Sequence, residues 1–339
     1  MKPLAVRAIA EAVGGRLNAN ADALPRESVA TGVQIDSRRI AQGDLFVACG
    51  GERVDGHDFA VTAVDAGARV VLAERDLPQV PCIVVHDSLA ALGALAAWYR
   101  REILTAKVIG VTGSSGKTTT KDLIAQTLDG QVVAAPGSFN TEFGVPLTVL
   151  QADTETEYLV LEMGMRGLGH IRYLADLVDP DIAVVLNVGT AHAGMLDDVS
   201  DIARAKGELV EGLRDDAVAV LNADDPQVSA MVDRTSARVL WFGEGPTSDV
   251  CALEVRVDSA GRAGFELAIR GQSPQSVQLT MHGEHFVSSA LAAAAVAYEC
   301  GMPVARIAEL LSAATSQSPW RMEVRPNGVG ITVINDAYN

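Results

Sequence analysis

The stretch KVIGVTGSSGKTTTK, residues 107–121, determines how the rest of the chain is interpreted. Its apolar start, residues 108–111, predicts a buried strand, and the amphipathic residues 121–128 predict a helix. Glycines, a lysine and threonines stand between the two. Glycines let a backbone approach closely, and the N–H groups at the start of a helix attract anions. Strand, glycine-rich turn and helix therefore predict a phosphate-binding loop.

The glycine spacing narrows the class of phosphate-binding loop. The common GxxxxGK[ST] pattern requires a glycine at position 111, where this chain has Val111. Its glycines are Gly110 and Gly113 instead, which gives the shorter GxxGK[ST] spacing. That spacing argues against a GTPase, a transport ATPase or a P-loop kinase. In such a loop Lys117 reaches the outer phosphates and the Thr118 hydroxyl can hold Mg²⁺.

Length and composition limit the number of domains, the kinds of partner and the cellular location. A chain of 339 residues suggests two or three domains, and 48% hydrophobic residues allow large cores. The net charge of −16 makes nucleic acid and anionic membrane poor candidate partners. The four cysteines have no paired spacing, which indicates reduced thiols. The start of the chain does not resemble a signal peptide, and the most apolar stretch, residues 290–297, is too short to cross a bilayer. We expect a soluble cytoplasmic protein without membrane insertion.

The first 86 residues alternate short strands and helices. GVQID, DLFVACG, RVVLAE and PCIVVHD predict strands, and residues 58–68 predict a helix. This pattern indicates a small α/β domain. Two polar loops, residues 36–38 and 55–58, are candidates for binding, although turns and helix caps use the same residue types.

The region after residue 86 predicts a parallel sheet with polar residues at its carboxyl edge. A helix over residues 88–102 leads into the phosphate-loop strand, and residues 136–150 indicate a functional loop. One apolar strand ends at Glu162, the next is followed by Thr190-Ala191-His192, and a third ends in Asn222. Because ligands bind at the carboxyl ends of parallel strands, we expect these residues to converge with Lys117 and Thr118.

Lys206 falls on the apolar face of a predicted helix, DIARAKGELVEGL. The face is made of Ile202, Leu209, Val210 and Leu213. At about 100° per residue Lys206 lies inside that arc, while Arg204 and Glu208 lie outside it. A buried ammonium without partners is unfavourable. Either the side chain extends along the surface to water, or it points into the crevice and serves the site.

The last third of the chain changes pattern. Residues 251–281 alternate polar and apolar side chains, which predicts an antiparallel edge region. HFVSSALAAAAVAYECG predicts a helix closed by Gly301, and ARIAELLSAA predicts another. The final stretch supplies Arg321 and a strand ending in Asp336. A domain is not expected to end on such a strand.

Taken together, these motifs resemble the Mur ligases, which join an amino acid or peptide to a carboxylate using ATP. LEMG with Glu162 and NVGTAHAG with His192 are similar to their magnesium-ligand segments, and ARAKGEL is similar to the segment whose lysine, here Lys206, is carbamylated. The resemblance implies catalytic Lys117, Glu162, His192 and Lys206, and metal ligands Thr118, Glu162, His192 and Lys206. It implies ATP contacts from Thr112, Gly113, Ser114, Ser115, Gly116, Lys117, Thr118, Thr119, Asn222, Arg321 and Asp336.

Other segments narrow the resemblance within the family. DSRRIAQGDLFVACGGERVDGHDF is similar to a uridine-binding domain, which makes Ser37 and Arg38 candidates for the UDP group. GSFNTEFGVPLT and INDAYN are closer to the branch that adds D-alanyl-D-alanine, with Asn140, Thr141 and Glu142 as substrate-binding residues. The chain departs from the family at Phe286, Ser289 and Thr141, where asparagines are frequent.

The resemblance implies an α/β chain in three parts. These are a UDP-substrate-binding domain over residues 1–86, a mostly parallel-sheet ATP-binding domain over 87–323 with an antiparallel edge, and the start of a truncated third domain over 324–339. It implies a monomeric ligase that adds D-alanyl-D-alanine to UDP-N-acetylmuramoyl-tripeptide with ATP and Mg²⁺, through an acyl phosphate. The alternatives are the tripeptide-forming ligase of the family and a nucleotide-sugar-binding module without catalysis.

Overall fold

The computed structural model describes residues 1–51, 54–189, 198–245, 247–326 and 332–338. The chain forms two compact units, one of Met1–Ala106 with Glu142–Thr156 and one of Lys107–Thr141 with Glu157–Asn339. The predicted helix Ser88–Glu102 thus belongs to the first unit. The division into functional domains at residues 86 and 323 stays a prediction.

Short strands and helices alternate along most of the chain. Up to residue 106 the elements are β1 (Leu4–Ala5), α1 (Val6–Ala12), β2 (Arg16–Leu17), α2 (Ala19–Asp22), β3 (Val29–Ala30), β4 (Gly32–Gln34), β5 (Asp44–Val47), α3 (Ala60–Asp65), β6 (Val70–Ala73), β7 (Cys82–Val84) and α4 (Ser88–Glu102). Then follow β8 (Lys107–Thr112), α5 (Lys117–Thr127), β9 (Val132–Ala134), α6 (Gly144–Val149), β10 (Tyr158–Glu162), α7 (His170–Val178), β11 (Ile182–Val185), α8 (Val199–Glu211), β12 (Val218–Asn222), α9 (Pro226–Ser229), β13 (Arg238–Gly243), β14 (Val250–Val257), β15 (Arg262–Ile269), β16 (Gln275–His282), α10 (Phe286–Glu299), α11 (Val304–Ala313), β17 (Glu323–Pro326) and β18 (Thr332–Asn335).

The first unit is built on a five-stranded sheet in the order β2-β7-β6-β5-β4. Strands β4 to β7 run parallel and β2 is antiparallel at the edge. The four predicted strands and the predicted helix are confirmed, the helix as a 3₁₀ turn, Gly56–Phe59, that leads into α3. The Tyr99 hydroxyl of α4 donates to the Ala152 carbonyl at 2.9 Å, which ties the 142–156 segment to this unit.

The prediction of a loop over residues 136–150 is wrong in its second half, which forms α6. Pro146 contributes to that prediction, because prolines are frequent in irregular structure. It stands in the first turn of the helix, where a proline is tolerated because its missing N–H has no partner inside the helix.

The second unit contains a nine-stranded sheet in the order β16-β15-β14-β13-β12-β11-β8-β10-β9. Strands β9 to β14 with β8 pair in parallel, and β14, β15 and β16 pair antiparallel. The predicted α/β class, a mostly parallel sheet with an antiparallel edge, is confirmed. Strand β8 lies between β10 and β11, so the loop after β8 emerges at the centre of the sheet's carboxyl edge.

Helices cover both faces of this sheet. Ile109 and Val111 of β8 join the core formed with α5 and α10, whereas Gly110 faces Leu209 of α8. Helix α10 is apolar on all sides and almost wholly buried, as expected of a helix in the middle of a core. Within the described residues, no helix is both long and apolar enough to cross a membrane.

Candidate active site

The phosphate loop is residues 113–116, between β8 and α5. Helix α5 begins at Lys117, four residues earlier than predicted, because Gly116 caps it with a φ of 77°. That left-handed conformation favours glycine strongly. The Asn187 side chain supports the loop, since its Oδ1 accepts from the Ser115 backbone N–H at 2.9 Å. Ser114 Oγ accepts from Gly189 N–H at 2.8 Å, so the segment after β11 that carries Asn187 supports a second residue of the loop.

Lys117 and Thr118 open α5 and face a buried carboxylate. The Lys117 ammonium donates to the Gly113 carbonyl at 2.8 Å. Burial lowers the pKa of Lys117, and the Arg321 charge lowers it further while Glu162 opposes the change. The Thr118 hydroxyl donates to Glu162 Oε2 at 2.7 Å. The predicted convergence of Lys117, Thr118 and Glu162 is therefore present.

Glu162 is the last residue of β10 and is 1% exposed. Its second oxygen, Oε1, accepts from the Asn140 side-chain amide at 2.7 Å. Asn140 also accepts Gly164 N–H at its carbonyl, and a Cβ at Gly164 would lie 2.9 Å from Asn140 Cγ. The absence of a side chain at Gly164 thus allows Asn140 to reach the carboxylate. The family resemblance implies a substrate-binding role for Asn140, and nothing in the sequence indicates its contact with Glu162.

The Thr118–Glu162 pair suits a hard divalent cation. The Thr118 hydroxyl accepts from Arg321 Nη2 at 2.9 Å, so the pair already attracts positive charge. No group of three or more His, Cys, Asp or Glu side chains with metal-ligand arrangement occurs within the described ranges. Mg²⁺ needs no such group, since it is commonly held by one or two carboxylates together with substrate phosphates. The oxygen donors of this pair therefore fit Mg²⁺. The predicted ligand His192 lies outside the described residues.

Lys206 is 1% exposed in the middle of α8, so its predicted place on the buried face is confirmed. Its amine has no hydrogen bond or ion pair with any residue in the described part of the chain. Burial lowers the pKa of Lys206 to about 7, and repulsion from Lys117 adds to the effect. The second unit thus buries an amine whose pKa is affected by the charge of Lys117, next to the phosphate loop.

Glu208, on the same helix, does not follow its predicted placement. Periodicity places it outside the apolar arc, yet it is 7% exposed. Its carboxylate accepts from Gly169 N–H at 2.7 Å and from Arg172 N–H at 3.1 Å, at the start of α7. Helical periodicity predicts only the burial of apolar side chains. A carboxylate can also be buried when it accepts hydrogen bonds from the unpaired N–H groups at the start of another helix.

Two cavities adjoin the phosphate loop and share no lining residue among those described. The larger cavity, about 360 Å³, is lined by Ser115 and Gly116 of the loop and Thr119 of α5, by His285, Phe286 and Ser289 at and just before the start of α10, and by Arg321 and Asp336. The smaller cavity, about 250 Å³, is lined by Lys117, Asn140, Thr141, Gly164, Met165, Arg166 and His170. Arg166 and His170 are not among the residues predicted for the site. The sequence pattern that could have identified them is the glycine-rich segment MRGLGH, residues 165–170, which begins three residues after the strand that ends at Glu162.

Arg321 and Asp336 are brought to the larger cavity as predicted. Arg321 lies over the Tyr338 ring, with its guanidinium carbon 3.9 Å from the ring centre. Its Nε is buried and has no hydrogen-bond partner in the described structure. Asp336 Oδ1 accepts from Met322 N–H at 3.0 Å, which pins the β17–β18 hairpin beside the cavity.

Thr112 and Asn222, two further predicted ATP contacts, do not line either cavity. The Thr112 hydroxyl donates to the Met163 carbonyl at 2.9 Å. The Asn222 amide donates to the Leu186 carbonyl at 2.7 Å. In this structure both side chains link neighbouring strands at the sheet's carboxyl edge, and their contact with a nucleotide stays a prediction.

Ser37 and Arg38 lie in the first unit, on a cavity of about 550 Å³ that Phe46 and Cys49 also line. The Arg38 guanidinium donates to both carboxylate oxygens of Asp36, at 2.9 and 2.8 Å. These hydrogen bonds lower the pKa of Asp36 to about 2. Glu142, another predicted substrate residue, also belongs to the first unit.

Comparison with known proteins agrees with this geometry. Residues 111–297 match the Mur ligase middle domain and residues 29–100 match the Mur ligase family catalytic domain. The chain belongs to the Mur ligase family.

Particular relatives narrow the comparison. The UDP-N-acetylmuramoyl-tripeptide–D-alanyl-D-alanine ligase of Mycobacterium bovis is 46% identical, over 100% of this chain and 71% of its own length. The crystal structure of MurF from Acinetobacter baumannii is 32% identical with a TM-score of 0.92, over 100% of this chain and 74% of that one. MurF ligase from Thermotoga maritima in complex with ADP is 32% identical with a TM-score of 0.80, over 91% of this chain and 71% of that one.

Proposed function

We propose that this protein is an ATP-dependent amide ligase that adds D-alanyl-D-alanine to UDP-N-acetylmuramoyl-tripeptide, in the assembly of peptidoglycan precursors. The observation that carries the proposal is the buried Thr118–Glu162 pair beside Lys117, at the helix start that follows a short glycine-rich loop. The relatives that share the whole chain bear the name of this ligase. Because the reaction consumes ATP and a UDP-linked substrate, we place it in the cytoplasm.

The larger cavity is proposed to hold the adenosine part of ATP. Its rim carries the loop residues Ser115 and Gly116, which would place the phosphates over the start of α5. The Arg321 Nε–H, buried without an acceptor in the described structure, is a donor that a phosphate or ribose oxygen would satisfy. Phe286 and Ser289 border the same space, so these two departures from the family pattern would lie against the nucleotide.

Phosphoryl transfer is proposed to occur at Lys117. The terminal carboxylate of the tripeptide attacks the γ-phosphorus, ADP leaves, and the acyl phosphate forms. The amine of D-alanyl-D-alanine then attacks the acyl carbon, an amide forms, and phosphate leaves. Lys117 stabilises the negative charge that spreads over the transferring group. Thr118 and Glu162 would hold Mg²⁺, which supplies charge neutralisation on the phosphates when bound.

We also propose that Lys206 is carbamylated. Only an unprotonated amine reacts with CO₂, and a pKa of about 7 leaves a substantial fraction in that form near neutral pH. The carbamate would replace a buried cation that has no partner in the described structure with an anion able to bind metal. Together with His192 it would complete a second metal site.

Substrate contacts are proposed in each unit by itself. Ser37 and Arg38 would contact the uridine diphosphate in the 550 Å³ cavity, which is large enough for a nucleotide group. Asn140, Thr141 and Glu142 would serve the peptide end. We retain residues 1–86 and 87–323 as the proposed substrate-binding and ATP-binding domains.

Phosphate release measured with single omissions tests the proposed function. The full-length protein should release phosphate only when ATP, UDP-N-acetylmuramoyl-tripeptide and D-alanyl-D-alanine are all present, with one pentapeptide product per phosphate. Release that needs no dipeptide would indicate a nucleotidase and reject the ligase proposal. If the protein instead joins a free amino acid to a UDP-N-acetylmuramoyl-dipeptide, it belongs to the tripeptide-forming branch.

A further inference from the structure

The smaller cavity contains a histidine that the reaction as proposed leaves unused. His170 is the first residue of α7, and it lines the cavity together with Lys117 and Arg166. No acidic residue stands among the described residues of that lining. A cavity bordered by two basic residues and no carboxylate favours an anionic group.

A hydrogen bond from the backbone indicates which nitrogen of the His170 ring carries the hydrogen. The Arg166 backbone N–H donates to His170 Nδ1 at 3.2 Å. A ring nitrogen that accepts an N–H carries no hydrogen of its own, so this contact places the ring hydrogen on Nε2. Nε2 has no hydrogen-bond partner among the residues that the structure describes. His170 therefore offers an N–H donor with a defined orientation.

The start of α7 is partly occupied by another residue. Glu208 accepts the backbone N–H groups of Gly169 and Arg172, so it takes up two of the donors at the helix start that would otherwise bind an anion. Gly169 has a φ of 84°, which sets the direction in which the chain enters the helix at His170. An anion in the cavity would meet the His170 side chain, which is part of the cavity lining.

The position of the cavity indicates which anion it takes. The larger cavity adjoins the loop at Ser115 and Gly116, and the smaller one adjoins it at Lys117. With the nucleotide in the larger cavity, the group that accepts the phosphoryl must approach Lys117 from the smaller one, because reacting atoms have to meet within about 3–3.5 Å. A volume of about 250 Å³ suits the terminal residue of a peptide and is small for a nucleotide sugar.

We propose that His170 is a substrate-binding residue whose Nε2–H donates to the terminal carboxylate of the tripeptide, an inference that rests on the proposed ligase function. The hydrogen bond holds one carboxylate oxygen while the other forms the bond to the γ-phosphorus and the bond to ADP breaks. His170 gives up no proton in this step. It selects a carboxylate over a neutral group at that end of the peptide.

Calorimetry without ATP tests the proposal. The probes are UDP-N-acetylmuramoyl-tripeptide and its C-terminal carboxamide, which differs only in the group that His170 is proposed to contact. The variants are His170→Ala, His170→Gln, which keeps an N–H donor, and His86→Gln, the same substitution at an exposed position of the first unit. A hydrogen bond to a charged group predicts about a tenfold smaller carboxylate-over-carboxamide preference in His170→Ala. His170→Gln should retain part of the preference, and His86→Gln all of it.

Two results would overturn the proposal. One is an unchanged preference in His170→Ala, and the other is an equal loss of affinity for both probes, which would indicate a structural role. Thermal unfolding of each variant identifies loss of folding, and His170→Gln provides the comparison if His170→Ala is unstable. Failure of the wild-type protein to form the amide product would instead reject the ligase function, and it is measured in a separate assay.

Discussion

Replacing Lys206 with methionine should stabilise the folded protein, and the gain should depend on pH. The side chain is 1% exposed, and burial together with the charge of Lys117 lowers its pKa to about 7 from the ordinary value of 10.5. At about 1.4 kcal/mol per pH unit this corresponds to about 5 kcal/mol of destabilisation by the buried ammonium. Methionine has a similar shape and no charge, so Lys206→Met removes that destabilisation.

The direction of the pH dependence follows from whether the folded and unfolded chains hold the Lys206 proton. Below about pH 7 both the folded and unfolded chains hold the Lys206 proton, and the wild-type protein bears the full effect. Between pH 7 and 10.5 the folded chain releases the proton while the unfolded chain keeps it, so wild-type stability rises with pH. The advantage of Lys206→Met should therefore fall from about 5 kcal/mol at pH 6 to about 2 kcal/mol at pH 9.

Urea unfolding in CO₂-free buffers measures this difference, because the other titrating groups are common to both proteins and cancel. Arg204→Met on the same helix is the matched control, since Arg204 is exposed and its ion pair with Asp201 is at the surface. It should change stability by less than about 1 kcal/mol at every pH. A constant difference between Lys206→Met and wild type across pH 6–9 would show that burial does not lower the pKa of Lys206. Added bicarbonate should stabilise the wild-type protein alone if the amine is carbamylated.

Three further substitutions test the site. Lys117→Ala should lower kcat at least about 10³-fold while leaving the fold intact, as measured by turnover and circular dichroism, because the lysine acts on developing charge; turnover near the wild-type rate would remove it from phosphoryl transfer. Asn140→Ala should raise the Mg²⁺ concentration for half-maximal activity about tenfold or more, since its amide orients Glu162; an unchanged Mg²⁺ titration would contradict this. Arg38→Ala should raise the KM for the UDP-linked substrate about tenfold and leave the KM for ATP unchanged in steady-state assays; an equal rise in both would contradict the assignment of the first unit.

Much of the fold could be predicted because it depends on local patterns. Parallel strands buried on both faces, such as β8 and β11, give continuous apolar runs. The antiparallel edge gives alternation in β14 and β15. The start of α5 could not be predicted, because its first turn contains three threonines, which have low helix propensity. The helix nevertheless begins there, directly after Gly116.

The site could be predicted only where a residue's position in the sheet or on a helix decides its location. Glu162 is placed by the end of its strand, and Lys206 by its position on the helix face. The contact of Asn140 with Glu162 could not be predicted, because it depends on the path of a loop past Gly164. Arg321 contacts Thr118 from a distant part of the sequence, and no local pattern reports such a pairing.

Transfer of isotopic oxygen shows directly whether a peptide carboxylate is activated by phosphoryl transfer at Lys117 and Glu162. UDP-N-acetylmuramoyl-tripeptide carrying ¹⁸O in its terminal carboxylate is incubated with ATP, D-alanyl-D-alanine and the full-length protein, and the released phosphate is examined by mass spectrometry. Each released phosphate should contain one ¹⁸O atom, and ADP should contain none. Phosphate free of ¹⁸O, formed together with the amide product, would contradict activation by phosphoryl transfer.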